Sequence, residues 1–393
     1  MIPSISALAG VTFMLATLPG TCELVMLTAS AVLLPRRRPP SDTPPGPTIA
    51  TFAIVVPAHD EAATIVRCVR SIARCAPPLH GVAISIVVIA DNCTDSTPAL
   101  AKSAGARVII RSDALRQGKG FALQDSFATL LAEGFDAVAV IDADTLVEPN
   151  LLTEFVAVLE SGADGVQAAY GVLNCNVSIR TRLMKVALMA FNLLRPRGRD
   201  RLGLSAGILG NGFALSRTTL EAVPYDAHSI VEDLEYHLRL VRAGRRIQFA
   251  ENTTVCADMP ASGRGVATQR ARWEGGRLRM IADHSTSLAA GIVHGNTRLI
   301  EPLLDLMLLP LAFHVGLLLV TLALPLTPAR IYALVALVVV GIHIVAAIGI
   351  GGGAIEDFAV LLAAPFYIAW KLTVSPMIPA MARHSTPWIR TKR

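Results

Sequence analysis

Long apolar stretches lie toward both ends of the chain, and between them short β-branched runs alternate with helical stretches. From Met1 to Leu34 the only charged side chain is Glu23, and Pro35-Arg36-Arg37-Arg38 follows. This pattern predicts a transmembrane helix over residues 1–34, because a secretory leader carries its positive charge before the apolar run, not after it. Toward the other end, Pro302–Leu324 and Ile331–Ile350 each supply about 20 mostly apolar residues, enough to span a bilayer. Phe358–Pro376 is apolar but holds Pro365 and Lys371, which predicts an interfacial or re-entrant segment, with a fourth span as the alternative. Glu23 is costly if it faces lipid, so it is expected to be partnered against another helix, with a part in substrate passage as the other option. His314 and His343, in apolar helices, are expected to be packed and hydrogen-bonded.

In the middle of the chain, Phe52–Val56, Ile84–Ala90, Arg107–Ile110 and Ala137–Ile141 read as strands. Helices are expected over about 62–74, 96–104, 120–132 and 232–242. That alternation predicts βαβ units and a mostly parallel sheet, with ligands at the carboxyl ends of the strands. The chain therefore divides into six expected segments. Residues 1–34 form a membrane helix, 35–49 a basic proline-rich linker, and 50–275 a cytoplasmic α/β domain. Residues 276–301 form an interfacial amphipathic region, 302–350 two transmembrane helices, and 351–393 an interfacial or re-entrant helix with a basic tail.

Composition supports a mixed aqueous and membrane chain: of 393 residues, 53% are hydrophobic and 17% charged, with a mean hydropathy of +0.53. The net charge of +5 fits cytoplasmic flanks near anionic lipid better than nucleic-acid binding. The positive-inside rule puts the domain and the basic tail on the cytoplasmic side of the cell membrane. Six scattered cysteines show no metal-binding spacing and fit a reducing compartment.

Four acidic or aromatic clusters, and a lysine before a helix, carry candidate chemistry. Asp142 and Asp144, just past a strand, offer hard oxygen ligands for Mg²⁺ or Mn²⁺, which would neutralise a leaving diphosphate; a turn or helix cap is the plain alternative. Asp91 ends another strand and can accept hydrogen bonds from a nucleobase or ribose, while Thr94 or Asp95 caps the next helix. Lys119, in Gln117-Gly118-Lys119-Gly120, precedes a helix where phosphate can meet backbone N–H groups. Glu232-Asp233 opens a helix, where a carboxylate serves as a base toward an acceptor hydroxyl or simply complements the helix dipole. Gln269, Arg272 and Trp273 share one helical face, with a flat ring for a sugar and a guanidinium fork for diphosphate. A basic amphipathic helix lying on the membrane explains the same residues.

In this order the motifs resemble the glycosyltransferase family 2 membrane synthases, such as cellulose, hyaluronan and chitin-oligosaccharide synthases. Val56-Pro57-Ala58-His59-Asp60-Glu61 is similar to the family's opening Val-Pro-x-x-Asn-Glu, with Asp60 where Asn is usual. The resemblance implies a GT-A fold, Rossmann-like and nucleotide-sugar-binding, joined to transmembrane helices. It assigns the donor site to Pro57, Glu61, Asp91, Lys119 and Asp142, the metal to Asp142 and Asp144, and the base to Asp233. Glu232, Asn211, Gln269, Arg272 and Trp273 fall at the acceptor and diphosphate end. It further implies an inverting hexosyl transfer from a nucleotide sugar, UDP by family habit, to a growing β-linked exopolysaccharide. A lipid acceptor used once is the alternative, and a non-catalytic membrane scaffold is disfavoured by the intact Asp144, Asp233 and Trp273. Expected partners are the donor, the carbohydrate or lipid acceptor, membrane lipid, and a secretion partner or second copy.

Overall fold

The computed structural model describes residues 5–36, 48–75, 81–260 and 264–374. The central part of the predicted linker and the basic tail lie outside them. The chain divides into two compact units: Met1–Pro35, Asn176–Leu204 and Pro260–Arg393 form a helical unit, and Arg36–Cys175 with Ser205–Met259 a sheet unit. The expected 50–275 domain is thus interrupted, because residues 176–204 leave it for the helical unit, as does everything from Pro260 on.

In chain order, α1 (Ile5–Leu33) is followed by β1 (Thr51–Ala58), α2 (Ile65–Ala73), β2 (Ala83–Asp91), α3 (Thr97–Ser103) and β3 (Arg107–Arg111). Next come α4 (Lys119–Ala132), β4 (Ala137–Val140), β5 (Thr145–Val147), α5 (Leu151–Glu160) and β6 (Gly165–Val172). Then α6 (Ile179–Leu188) runs through a π-helical turn, Met189–Leu194, into α7 (Arg195–Leu202). The sheet unit closes with β7 (Phe213–Ser216), α8 (Arg217–Ala222), α9 (Glu232–Arg242) and β8 (Ile247–Ala257). The remainder is helical: α10 (Arg264–Val293), α11 (Ile300–Met307), α12 (Leu311–Ala323), α13 (Thr327–Ile350), α14 (Ile355–Ala359) and α15 (Ala364–Val374).

Among the described residues the strands form one eight-stranded sheet in the order β3-β2-β1-β4-β7-β6-β8-β5. Four of the seven pairings are parallel and three antiparallel, so the sheet is mixed where a mostly parallel one was expected. The four strands read from β-branched runs pair with one another in parallel; β5, β7 and the longer β6 and β8, the last two also parallel to each other, lacked that signature. Both faces of β1 are covered. Ile54 and Val56 pack under α2 and α5, while Ala53 and Val55 pack under α4 and α9. That two-sided burial explains the continuous apolar run, which an open sheet face would have broken into alternation. Pro57 lies just past the β1–β4 pairing, which ends at Val55, where a residue without an N–H breaks no bond of that ladder.

In the helical unit α1 packs on α7, α12 and α13. Among the described residues two helices, Ala7–Leu33 and Thr327–Ile350, are long and apolar enough to cross a membrane. The expected span Pro302–Leu324 is instead broken: α11 and α12 meet at 75°. Leu308 is extended (ψ 114°), and Pro310 brings no N–H and crowds the preceding turn. The predicted boundary at 275/276 also falls inside one continuous helix, α10.

Glu23 is fully buried and meets Arg195 at 2.5 Å and Arg199 at 3.2 Å. Asp305 bridges the same two arginines at 2.5 Å each and Arg277 at 3.3 Å, and Glu301 pairs with Arg199. Three carboxylates and three guanidiniums from α1, α7, α10 and α11 therefore balance inside the unit. A charge is tolerable in an apolar helix only with such partners. Arg197 and Arg201 donate to the carbonyl of Ala31, serving the unsatisfied C-terminal end of α1. His314 and His343 are buried and bonded to Thr21 at 3.3 Å and Thr28 at 2.7 Å, the packed role expected of them.

Candidate active site

The site residues of the sheet unit gather at the carboxyl ends of β1, β2 and β4. At the first two ends the backbone takes positive φ at non-glycine residues, Asp60 (53°) and Asn92 (49°). Asp60 accepts the N–H of Thr94 at 2.6 Å and of Asp95 at 3.2 Å, and these bonds hold its pKa below the ordinary value. An aspartate in place of the family's asparagine thus serves as an acceptor that anchors the loop after β2. Glu61 starts the next turn, its backbone N–H bonded to Thr97 at 2.7 Å and its carboxylate to Thr64 at 3.0 Å.

Asp91 is buried, and its Oδ1 accepts Arg111 Nη1 at 2.7 Å and Asn92 Nδ2 at 2.9 Å. Arg111, from the end of β3, also reaches Asp125 at 2.8 Å and the carbonyl of Arg116 at 2.6 Å. A single arginine therefore orders the floor beneath Asp91. Nothing in the sequence marked Arg111 beyond its place one residue past a strand.

The chemical centre lies past β4. Lys119, at the start of α4, donates to Asp142 Oδ1 at 2.5 Å and to the Gly210 carbonyl at 2.5 Å. Gly120 lets α4 come this close: a Cβ there would lie 2.3 Å from the Ala227 carbonyl. Burial opposes the Lys119 charge, but Asp142, then Glu232 and Asp233, more than offset it and keep its pKa above the ordinary value. Gly210 has φ +77°, and a Cβ on it would stand 3.0 Å from Asp233 Oδ2. Asp142, Lys119, Gly210 and Asp233 thus form one contiguous group. Burial raises the pKa of both carboxyls at the start of α9, Glu232 to about 7, with Asp233 the next contributor there. Asp233 is therefore a stronger base than a solvated carboxylate, with a cation within electrostatic reach.

Asp144 is buried and accepts Thr145 Oγ1 at 3.3 Å. Asp142 and Asp144 belong to no three-residue ligand cluster among the described residues. The protein thus offers two hard carboxylates and leaves other positions to ligand oxygens, a donor set that fits Mg²⁺ or Mn²⁺.

Asn211 has a different role from the expected acceptor contact. It is 1% exposed, its Oδ1 accepts the Asp142 N–H at 3.0 Å, and its Nδ2 donates to Thr145 Oγ1 at 2.8 Å. A side chain so enclosed and so committed faces the protein, not a substrate. Gln269, Arg272 and Trp273 lie on α10, in the helical unit. Trp273 is exposed, and the side chains of Gln269 and Arg272 fall outside the described residues.

Residues 47–276 match Glycosyltransferase like family 2. The chain belongs to that family. Among family relatives, a probable glycosyltransferase, YdaM, of Bacillus subtilis is 25% identical over 238 residues, 58% of this chain and 56% of that protein. Glucosyl-3-phosphoglycerate synthase of Mycolicibacterium paratuberculosis is 31% identical over 189 residues, 44% of this chain and 55% of that one. The chain therefore spans about half the length of these curated relatives. The mannosyltransferase PcManGT from Pyrobaculum calidifontis, solved with GDP-Man and Mn²⁺, superposes with a TM-score of 0.57 at 17% identity, covering 95% of this chain and 96% of that one. This likeness establishes a shared GT-A-like glycosyltransferase fold with a mixed sheet.

Proposed function

We propose that the chain is an inverting, membrane-bound glycosyltransferase that moves a hexosyl group from a nucleoside-diphosphate sugar to a growing β-linked exopolysaccharide at the cytoplasmic face. The observation that carries the proposal is the convergence of Asp142, Lys119, Gly210 and Asp233 in one group. It supplies the two functions that a single displacement needs, positive charge beside the leaving diphosphate and a base beside the attacking hydroxyl. Asp233 takes the acceptor proton as the hydroxyl attacks the anomeric carbon, and its raised pKa suits the task. Lys119 stabilises charge on the departing diphosphate side, and Asp91 with Arg111 forms the floor proposed for the nucleoside. Asp142 and Asp144 would hold Mg²⁺ or Mn²⁺, which supplies Lewis-acid neutralisation of the diphosphate. Gln269, Arg272 and Trp273 are assigned to the acceptor and diphosphate end through the family motif alone.

A second reading, one transfer to a lipid acceptor such as a polyprenyl phosphate or a glycolipid, is favoured by the broken α11–α12 pair. The two long apolar helices among the described residues, or three spans if the bent pair is one, are few to enclose a polymer path without a partner or further copies. The deciding experiment measures nucleoside diphosphate release by the lipid-reconstituted protein over a panel of UDP- and GDP-sugars with Mn²⁺ or Mg²⁺. Metal-dependent turnover lost in Asp233→Asn and Asp144→Ala supports transfer, and sizing the product separates polymer from glycolipid. Failure of every donor, with membrane lipids present, overturns the proposal.

A further inference from the structure

We propose that Asn211, held by Gln167, is a positioning residue that fixes the Asp142–Asp144 carboxylates against Asp233 and so sets divalent-metal affinity. The inference rests on the transferase reading above and adds to it two buried side chains that act through other residues.

Gln167 lies in β6, a strand otherwise built of small and apolar side chains, and is fully buried. Its Nε2 donates to the carbonyls of Asn211 at 2.8 Å and Gly212 at 3.0 Å, and its Oε1 accepts the N–H of Leu209 at 3.0 Å. One side chain thus clamps residues 209–212 from both directions. Two of the clamped residues, Gly210 and Gly212, have positive φ (77° and 69°); Gly212 is tied by its backbone to Val140 and Ala168, while Gln167 serves the Leu209 N–H and the Asn211 carbonyl.

Asn211 passes that order on to the metal pair. Its Oδ1 accepts the Asp142 N–H at 3.0 Å, fixing the residue whose carboxylate meets Lys119. Its Nδ2 donates to Thr145 Oγ1 at 2.8 Å, and Thr145 Oγ1 donates in turn to Asp144 Oδ1 at 3.3 Å. One amide therefore governs the backbone of the first carboxylate and, through a hydroxyl, the orientation of the second. The preceding residue, Gly210, lies against Asp233 and accepts from Lys119. Metal ligands and base are thus referred to a single tetrapeptide, 209–212, and a slip of that segment moves both. Outer partners of this kind orient metal ligands, and their loss weakens metal binding by about 10- to 100-fold.

The test is Mn²⁺ binding, followed by electron paramagnetic resonance on the full-length protein in detergent with UDP or GDP present, beside thermal unfolding of each variant. Asn211→Leu removes both bonds at similar volume. Thr145→Val removes only the hydroxyl relay to Asp144, and Thr145→Ser restores it. The expected result is Mn²⁺ affinity about tenfold weaker in Asn211→Leu and Thr145→Val and near wild type in Thr145→Ser. Wild-type Mn²⁺ affinity in a folded Thr145→Val or Asn211→Leu overturns the inference. If Asn211→Leu fails to fold, Thr145→Val and Thr145→Ser still decide. A wild-type protein that binds Mn²⁺ with neither nucleotide refutes the transferase reading itself, a different outcome from a positioning role that fails.

Discussion

Gly210→Ala separates backbone strain from damage to the site. At φ +77° an alanine costs roughly 1–2 kcal/mol relative to glycine, because Cβ crowds the following carbonyl in the left-handed region. At Gly210 the new methyl also stands 3.0 Å from Asp233 Oδ2, closer than an ordinary contact, so the carboxylate has to move by a few tenths of an ångström. Gly162 is the control: its φ is +89°, and nothing lies within 4 Å of the Cβ it would gain. Both variants should therefore lose about the same stability, on the order of 1–2 kcal/mol by chemical unfolding in detergent. Only Gly210→Ala should lose catalysis, by about tenfold or more in kcat, since displacements of about 1 Å cost roughly 100-fold. Donor turnover is read as nucleoside diphosphate release. Equal turnover in the two variants, or a loss in Gly162→Ala as large as in Gly210→Ala, refutes the placement of Asp233 as the base.

Asp233→Asn should lower kcat by about 10²- to 10⁴-fold with donor KM little changed, and an equal rise in KM would mark it as a binding residue. Because Asp233 acts ionised and burial raises its pKa, kcat/KM should climb with pH along a limb above the ordinary carboxylate range. Lys119→Met removes a cation that favours ionised Asp233 and Glu232, so this limb should move to still higher pH; a limb that stays put or moves down contradicts the electrostatic assignment. Glu23→Gln leaves Arg195 and Arg199 undercompensated inside the helical unit and should cost about 3–5 kcal/mol by unfolding in detergent. Adding Arg195→Met should recover part of that loss, and strictly additive losses would show that the pair does not interact.

The candidate carboxylates were legible in the sequence because they stand as close acidic pairs, one past a strand and one at the start of a helix. The Asp142 pair and Glu232-Asp233 stand out wherever the chain places them, and β1 to β4 are legible because burial on both faces gives uninterrupted β-branched runs. The antiparallel part of the sheet was not legible. Its strands owe their place to neighbours distant in sequence, as β7 does between β4 and β6. Gln167 offered a faint signal, a lone amide in an apolar strand, but its partners lie 42 to 45 residues away.

The helical segments divide in the same way. Apolar length alone marked α1 and α13 as helices long enough to cross a bilayer, since length and composition belong to one contiguous stretch. The partners of Glu23 are Arg195 and Arg199, which Asp305 shares, and only folding brings those charges together. Asn211 shows the same limit inside the site. The family resemblance placed it at the acceptor end, whereas tertiary structure buried it and bonded both ends of its amide within the protein. Local sequence determined which groups are able to act as acid, base or ligand, because those properties belong to the side chain itself. Tertiary structure alone decided which of them face one another and which are spent holding the others in place, because burial and hydrogen bonding are properties of the neighbours.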